Sequence, residues 1–178
     1  ATLRIWDLTE VDGKVQISDK PKHTISEHEG SVLAVDFHPQ NSQRLVSAGE
    51  DKTLRLWNVE TGKPVIPTIS AHFSSIRDVE FSPDGASIVT GSVDNTIRLW
   101  EANTGAPKRL PRMAYRDAVF SVAFDSTGDR IVSASADRSV RIWDADTGEL
   151  LEDPLRGHDG KVYSAIFSAD DTTIVSTG

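Results

Sequence analysis

Histidine, serine or threonine, and aspartate recur together along this chain, each time with a tryptophan. The sets are His28–Ser47–Asp51–Trp57 and His72–Thr90–Asp94–Trp100, then Tyr115–Ser133–Asp137–Trp143 with tyrosine in the histidine place, then His158 and Ser176 by themselves. A hydroxyl, an imidazole and a carboxylate could serve as nucleophile, base and orienter of a hydrolase. The tryptophan points elsewhere. An indole N–H only donates, and once buried it needs an acceptor. A serine or threonine hydroxyl can accept from the indole and donate to the imidazole, whose other nitrogen donates to the carboxylate. Such a relay satisfies four polar groups at once and ties three segments together. An enzyme has little use for three copies of its triad, and no Gly-x-Ser-x-Gly elbow is present. The sets are therefore read as structural, with no catalytic residue assigned.

Other chemistries fare no better. One histidine per set leaves each far from the next, which disfavours zinc. Arg4, Arg55, Arg98 and Arg141 each stand two residues before a tryptophan, and are read as stems packed on a strand with heads on nearby acids rather than as an anion-binding ring. Asp144-Ala145-Asp146-Thr147-Gly148 resembles a calcium loop, but Leu155 stands where its closing glutamate belongs. Walker A, dinucleotide and His-Glu-x-x-His motifs are absent, and no cofactor or metal is expected. The 178 residues carry a net charge of −8, which repels phosphate, so neither nucleic acid nor an anionic membrane is an expected partner. There is no cysteine, no glycosylation sequon and no apolar run long enough to span a bilayer, which fits a cytoplasmic location.

The elements that must position these sets follow from their period. Trp6, Trp57, Trp100 and Trp143 are separated by 51, 43 and 43 residues, and His28, His72, Tyr115 and His158 by 44, 43 and 43. Nine residues after each of the latter stands Phe37, Phe81, Phe124 or Phe167. Between these marks lie short Val/Ile/Thr-rich runs such as Ile88-Val89-Thr90. Turn signals separate them: Pro83-Asp84-Gly85, Ser126-Thr127-Gly128, Thr61-Gly62, Thr104-Gly105 and Thr147-Gly148. Short runs with a turn every few residues read as all-β. Each unit is expected to hold four strands, a to d: a carries the Phe, b the Ser or Thr, c ends at the Trp, and d follows the Thr-Gly turn.

On these residues, with the Trp-Asp dipeptides at Trp6-Asp7 and Trp143-Asp144 and the Gly157-His158 pair, the chain resembles the WD40-repeat β-propellers. The resemblance implies blades of four antiparallel strands set radially around a channel. It also implies that the repeated sets are structural tetrads. It further implies a protein-interaction scaffold or sensor module without catalytic activity, whose narrow top face, made by the d–a and b–c loops, takes a peptide or partner domain. The positions of this chain that project there are Leu33, Arg77, Phe120 and Tyr163, with Glu50 and Lys161 beside them. Phe, Tyr and Arg are residue types that dominate binding hot spots. The alternative for Phe120 and Tyr163 is that they merely line a bulge. The stretch from Thr147 to His158 and Phe81-Ser82-Pro83-Asp84-Gly85 look like WD40 arrays from bacteria and fungi, which often form the sensor end of signalling NTPases.

Counting strands predicts a c–d half-blade over 1–18, blades at about 28–70, 72–112 and 115–155, and an a–b half-blade over 158–178. Trp6 to His28 is 22 residues against 15 in the other units, so an insertion of about seven is expected, placed at Asp19-Lys20-Pro21-Lys22. A chain opening Ala-Thr-Leu-Arg-Ile-Trp is expected to be a piece of something longer or a processed chain. If each half-blade leaves roughly 500 Å² of apolar surface open, covering it is worth on the order of 12 kcal/mol. Closure as four blades, blades lying outside the sequence, and self-association of two copies into an eight-bladed homodimeric ring are the routes considered; the ring is the preferred reading. Tyr115 can relay only one proton, so its tetrad is expected to be incomplete or water-assisted. The remaining uses considered are a structural self-assembly module, a fragment of a larger signalling protein, and an enzyme with a site in the channel.

Overall fold

The structure, a computed structural model, describes residues 1–108 and 113–178, and these residues hold strands and turns but no helix. The chain enters on β1 (Leu3–Ile5), continues through β2 (Leu8–Val11) and β3 (Lys14–Ile17), and returns on β4 (His23–Ile25). β1 pairs antiparallel with β4, Leu3 opposite Ile25, while β2 and β3 pair only with each other. Blade 1 follows as β5 (Val32–Phe37), β6 (Arg44–Gly49), β7 (Thr53–Asn58) and β8 (Ile69–Ser70). Blade 2 is β9 (Ile76–Phe81), β10 (Ser87–Ser92), β11 (Thr96–Glu101) and β12 (Met113–Ala114). Blade 3 is β13 (Val119–Phe124), β14 (Arg130–Ser135), β15 (Ser139–Asp144) and β16 (Leu155–Arg156). A last antiparallel pair, β17 (Ser164–Phe167) and β18 (Ile174–Thr177), stands where strands a and b of a further blade belong. Each blade is a four-stranded antiparallel meander in sequence order.

The residues explain the layering. Strand b of each blade is covered on both faces, so it reads as a continuous run of small and β-branched residues: Ser-Ile-Val-Thr-Gly-Ser in β10, every residue buried. Neighbouring sheets pack face to face through these strands. Val46, Leu54 and Leu56 of blade 1 meet Ile76, Phe81 and Ile88 of blade 2; Val89 and Leu99 of blade 2 meet Val122 and Ile131 of blade 3. Ala134 and Val140 meet Val162 and Ala165, and Leu3 and Ile5 meet Leu45 and Trp57. The blades thus form one stacked series of wedges.

The innermost strands are joined by carboxylates. The free edges of β9 and β13 would leave N–H groups without a ladder partner, and acids of the preceding blade accept from them. Phe81 N–H donates to Asp36 at 2.8 Å, Val122 N–H to Asp78 at 3.0 Å and Phe124 N–H to Glu80 at 3.3 Å. These three acids lie close enough to feel one another. Burial pushes Glu80 up to about 8, opposed by the Phe124 N–H and reinforced by the charges of Asp36 and Asp78. Asp36 and Asp78 are also raised, in each case first by burial.

Three expectations about boundaries are corrected. Residues 1–18 supply strand c but not strand d, which lies at His23–Ile25. The insertion is not Asp19–Lys22 but the β2–β3 hairpin. Asp12 and Gly13, with φ of 53° and 72°, make a tight turn between the alternating segments Leu8–Val11 and Lys14–Ile17, so these pair with each other before the chain can return to β1. In blade 2 strand d lies at Met113–Ala114, beyond the expected limit at 112; the part of that expectation covering 109–112 falls outside the described residues.

Candidate functional site

The tetrads come together in blades 1 and 2. Trp57 Nε1–H donates to Ser47 Oγ at 2.8 Å, and Ser47 Oγ lies 2.8 Å from His28 Nε2. His28 Nδ1 lies 2.8 Å from Asp51 Oδ2. Since the indole can only donate, the serine donates onward to Nε2, and Nδ1–H donates to the carboxylate. Blade 2 repeats this, with Trp100 to Thr90 at 3.0 Å, Thr90 to His72 at 2.7 Å and His72 to Asp94 at 3.0 Å. The other oxygen of each aspartate accepts from the N–H and hydroxyl two residues on, Thr53 or Thr96. That grip holds the intervening Lys52 and Asn95 at φ of 65° and 69°, a conformation that persists only when its surroundings impose it. Burial pulls both imidazoles below their ordinary value despite the partner carboxylates. Burial alone would raise Asp94, but hydrogen bonds from His72, Thr96 and the Phe73 N–H outweigh it and hold the carboxyl far below the usual range. Ser47 and Thr90 are fully buried, so their hydroxyls face the indole and not a substrate.

Blade 3 is wired differently. Tyr115 Oη reaches Ser133 Oγ at 2.7 Å and the Ser133 carbonyl at 2.9 Å, and Trp143 donates to the same Oγ at 2.7 Å. Asp137 takes its charge partner from Arg141, at 3.0 Å, whose guanidinium lies 3.9 Å from the Tyr115 ring centroid. No hydrogen bond joins Tyr115 to Asp137 among the described residues, so the chain from indole to carboxylate is broken at the tyrosine, and an arginine stacked on that ring stands beside the aspartate instead of an imidazole. Of the last set, His158 Nε2 lies 2.9 Å from Ser176 Oγ. The strand-c arginines serve the frame: Arg55 pairs with Glu27 at 3.1 Å, and Arg98 donates to the Ala71 carbonyl at 2.8 Å.

Three of the residues expected to project share one local feature. In each complete blade the a–b register slips by one residue near the start of strand a, between Val32 and Ala34, beside Arg77, and between Val119 and Ser121. The residue passed over is Leu33, Arg77 or Phe120. A β-bulge releases one side chain from the pleat and re-aims it. In the fourth position Tyr163 precedes β17, its N–H bonded to the Thr177 carbonyl at 2.8 Å. Phe120 and Tyr163 stack, with centroids 5.4 Å apart and planes 16° from parallel. The Arg77 guanidinium stands 5.7 Å from the Phe120 centroid. Arg77, Phe120 and Tyr163 therefore make a ladder across three successive inner strands, and Tyr163 remains 58% exposed. Glu50 accepts the Ser31 N–H at 2.9 Å, a bond that lowers its carboxyl, with Arg77 adding to the effect. Lys161 is exposed in the loop ahead of Tyr163, and Leu33 is half-buried.

Sequence reasoning missed Phe73. It is 80% exposed in the d–a loop of blade 2, under the Arg98 guanidinium at 5.2 Å, and its N–H holds Asp94 at 2.9 Å. The signal was present: the residue after the histidine position is Glu29, Arg116 or Asp159 elsewhere.

The model of the WD domain, G-beta repeat family matches residues 19–58, 63–101, 110–144 and 149–178. Among curated relatives, the WD repeat-containing protein AAC3 of Dictyostelium discoideum is 44% identical over 62 residues, 35% of this chain and 13% of the relative. The nuclear distribution protein nudF of Emericella nidulans is 47% identical over 68 residues, 38% of this chain and 15% of the relative. A guanine nucleotide-binding protein subunit beta of Oryza sativa subsp. japonica is 34% identical over 91 residues, 51% of this chain and 23% of the relative. The chain thus spans less than a quarter of each of these relatives. Four matched repeats, three four-stranded blades and the tryptophan-centred relays lead to one conclusion: the chain belongs to the WD40 repeat family.

Proposed function

We propose that this chain is a non-catalytic scaffold that binds a peptide or partner domain through the rim formed by Leu33, Glu50, Arg77, Phe120, Lys161 and Tyr163, in the cytoplasm and without a cofactor. WD40 repeats generally mediate protein–protein interaction. The observation that carries the reading is the Arg77–Phe120–Tyr163 ladder. Two stacked rings capped by a guanidinium form a preset surface of the kind that supplies hot spots, and three bulges across the complete blades aim residues at the same rim. No described helix is long and apolar enough to cross a membrane. A benzophenone amino acid placed at position 120 in cells expressing the protein is expected to cross-link a discrete protein partner. The same group at Thr127, in the a–b turn at the other end of blade 3, is expected not to. Equal labelling from both positions, or none from 120, overturns the reading.

A second reading rests on the two strand pairs that flank the complete blades. Trp6 is 44% exposed, whereas Trp57, Trp100 and Trp143 are buried against a hydroxyl. Ser176 has the histidine of its set but no indole. In a two-copy ring, β17–β18 of one copy would lie against β1 and β4 of the other, and Trp6 would donate to Ser176. The mass of the 178-residue chain by light scattering tests this: twice the 19.4 kDa of the monomer, reverting on Trp6→Arg, is expected, and a monomer for the unaltered chain removes it.

A further inference from the structure

Several of the described arginines are engaged within the fold. Arg98 and Arg141 each lie over an aromatic ring, and each also engages its donors within the fold, Arg98 on the Ala71 carbonyl at 2.8 Å and Arg141 on Asp137 at 3.0 Å. Arg55 and Arg130 are held by Glu27 at 3.1 Å and Asp125 at 2.7 Å. Arg77 is exposed and stacked at 5.7 Å over Phe120, yet none of the described residues accepts a hydrogen bond from it or comes within ion-pair distance. The ring sets the place of the guanidinium, and its N–H edge is open to a further acceptor. That edge matches a carboxylate, which it can grip with two parallel hydrogen bonds, and the stacking has already limited the conformations that binding would otherwise have to fix.

Beside this edge lies an apolar ledge, the Phe120–Tyr163 pair. Arg116, Arg138 and Lys161 stand exposed in the loops at the same end of blade 3 and the pair that follows it, each with an acid close by in sequence, Asp117, Asp137 or Asp159, so the charges of these loops balance and the cation offered to a ligand is Arg77 itself. Glu50 bounds the ledge on the other side of Arg77, its carboxyl held low by the Ser31 N–H. A singly charged carboxylate suits a position between Arg77 and that acid better than a doubly charged phosphate does. The spacing is also informative. An extended peptide advances about 3.3 Å per residue, so side chains two apart point the same way about 6.6 Å from each other. That is close to the 5.7 Å between the Arg77 guanidinium and the Phe120 ring.

We propose that the rim recognises an acidic–aromatic motif: an extended peptide in which Asp or Glu stands two residues from an aromatic or large apolar residue, the carboxylate on Arg77 and the apolar group on Phe120 and Tyr163. This inference rests on the rim being a binding surface and adds the chemistry of what it takes.

Labelled heptapeptides Gly-Ser-Phe-Ser-Glu-Ser-Gly, with variants carrying Gln, Lys or phosphoserine for Glu and Ala for Phe, measured by fluorescence anisotropy against the whole chain, test it. The Glu–Phe peptide is expected to bind about tenfold tighter than the Gln form, the difference a charge-assisted bidentate contact makes, and more tightly than the Ala form. Arg77→Gln is expected to erase the preference for Glu over Gln while leaving Phe over Ala. Phe120→Leu is expected to do the reverse, which separates loss of contact from loss of fold. Binding of the Lys peptide as tight as the Glu peptide, or a phosphoserine peptide held tenfold tighter, overturns the inference. If no peptide binds at millimolar concentration while the photo-reactive group at position 120 still captures a partner, the motif falls and the rim stands. If both fail, both fall.

Discussion

Blades 2 and 3 bury the same tryptophan against the same kind of hydroxyl and then part company. In blade 2 the hydroxyl passes the chain to His72 and on to Asp94, so one connected relay spans the d–a loop, strand b, the b–c turn and strand c. In blade 3 the chain divides. Tyr115, Ser133 and Trp143 form one neutral cluster, and Asp137 with Arg141 forms an ion pair beside it. The stacking of Arg141 on Tyr115 joins the two parts through a ring face instead of a proton. The divided version leaves Arg141 Nε buried without a hydrogen-bond partner among the described residues, a cost the relay does not incur. The lesson is that the tryptophan and its hydroxyl are the fixed part, and that what stands behind them can be an imidazole or an arginine over a phenol.

The largest test of this contrast removes the shared hydroxyl, with blade 1, wired as blade 2 is, standing for the relay. Ser47→Ala strands both the Trp57 N–H and the His28 Nε2, and is expected to cost about 2–4 kcal/mol in urea unfolding. Ser133→Ala strands only the Trp143 N–H, because Tyr115 keeps the Ser133 carbonyl, and is expected to cost about 1–3 kcal/mol. Equal losses would mean that the two blades are not wired differently.

The next test uses pH. The native imidazoles of His28 and His72 are pulled below the value near 6.5 that an unfolded chain shows, so the unfolded chain takes up protons the native state refuses. Stability from the tetrads therefore falls as pH drops below about 6.5. Glu80 acts in the opposite sense. Raised from 4.5 to about 8, it holds a proton natively that the unfolded chain has released, so its contribution falls as pH rises between those values. His72→Tyr, which rebuilds blade 2 in the manner of blade 3, is expected to shrink the loss of urea midpoint between pH 7 and pH 5. Glu80→Gln is expected to enlarge it by removing the opposing gain. The smallest effect is expected from Tyr115→Phe, about 0.5–1.5 kcal/mol, since Trp143 and Asp137 keep their partners. A larger loss would show the phenol to be as central to blade 3 as the imidazole is to blade 2.

Much of this frame was legible before any coordinates. The Phe, Ser or Thr, and Trp positions mark strands a, b and c because each must sit at a fixed place in the wedge, and the relay partners follow from what an indole and an imidazole can donate and accept. Arg141 in place of a histidine was hidden, since Arg98 occupies the same position in blade 2 and both arginines donate to a carbonyl ahead of the d–a loop, Ala71 or Ala114; they differ only in that Arg98 stands 3.8 Å from its aspartate and Arg141 3.0 Å. The β2–β3 hairpin was overlooked although Asp12-Gly13 announced it, because an insertion with its own pairing obeys no repeat. The bonds from Phe81, Val122 and Phe124 to Asp36, Asp78 and Glu80 join residues 44–45 apart, about one repeat, and nothing local to either partner reveals them. The rim ladder was legible as positions but not as stacking, because Phe120 and Tyr163 lie one repeat apart and meet only when two wedges are set at the right angle.

The slipped residue at the head of each inner strand has a consequence for how such arrays diversify. Excused from the pleat, it owes nothing to the cross-strand pairing on either side, and three neighbouring repeats already tolerate an aliphatic, a cation and an aromatic ring there. Substitution at that one address per repeat rewrites the surface one letter at a time while the supporting architecture goes untouched. The fold thereby keeps its alphabet of recognition physically separate from its grammar of assembly.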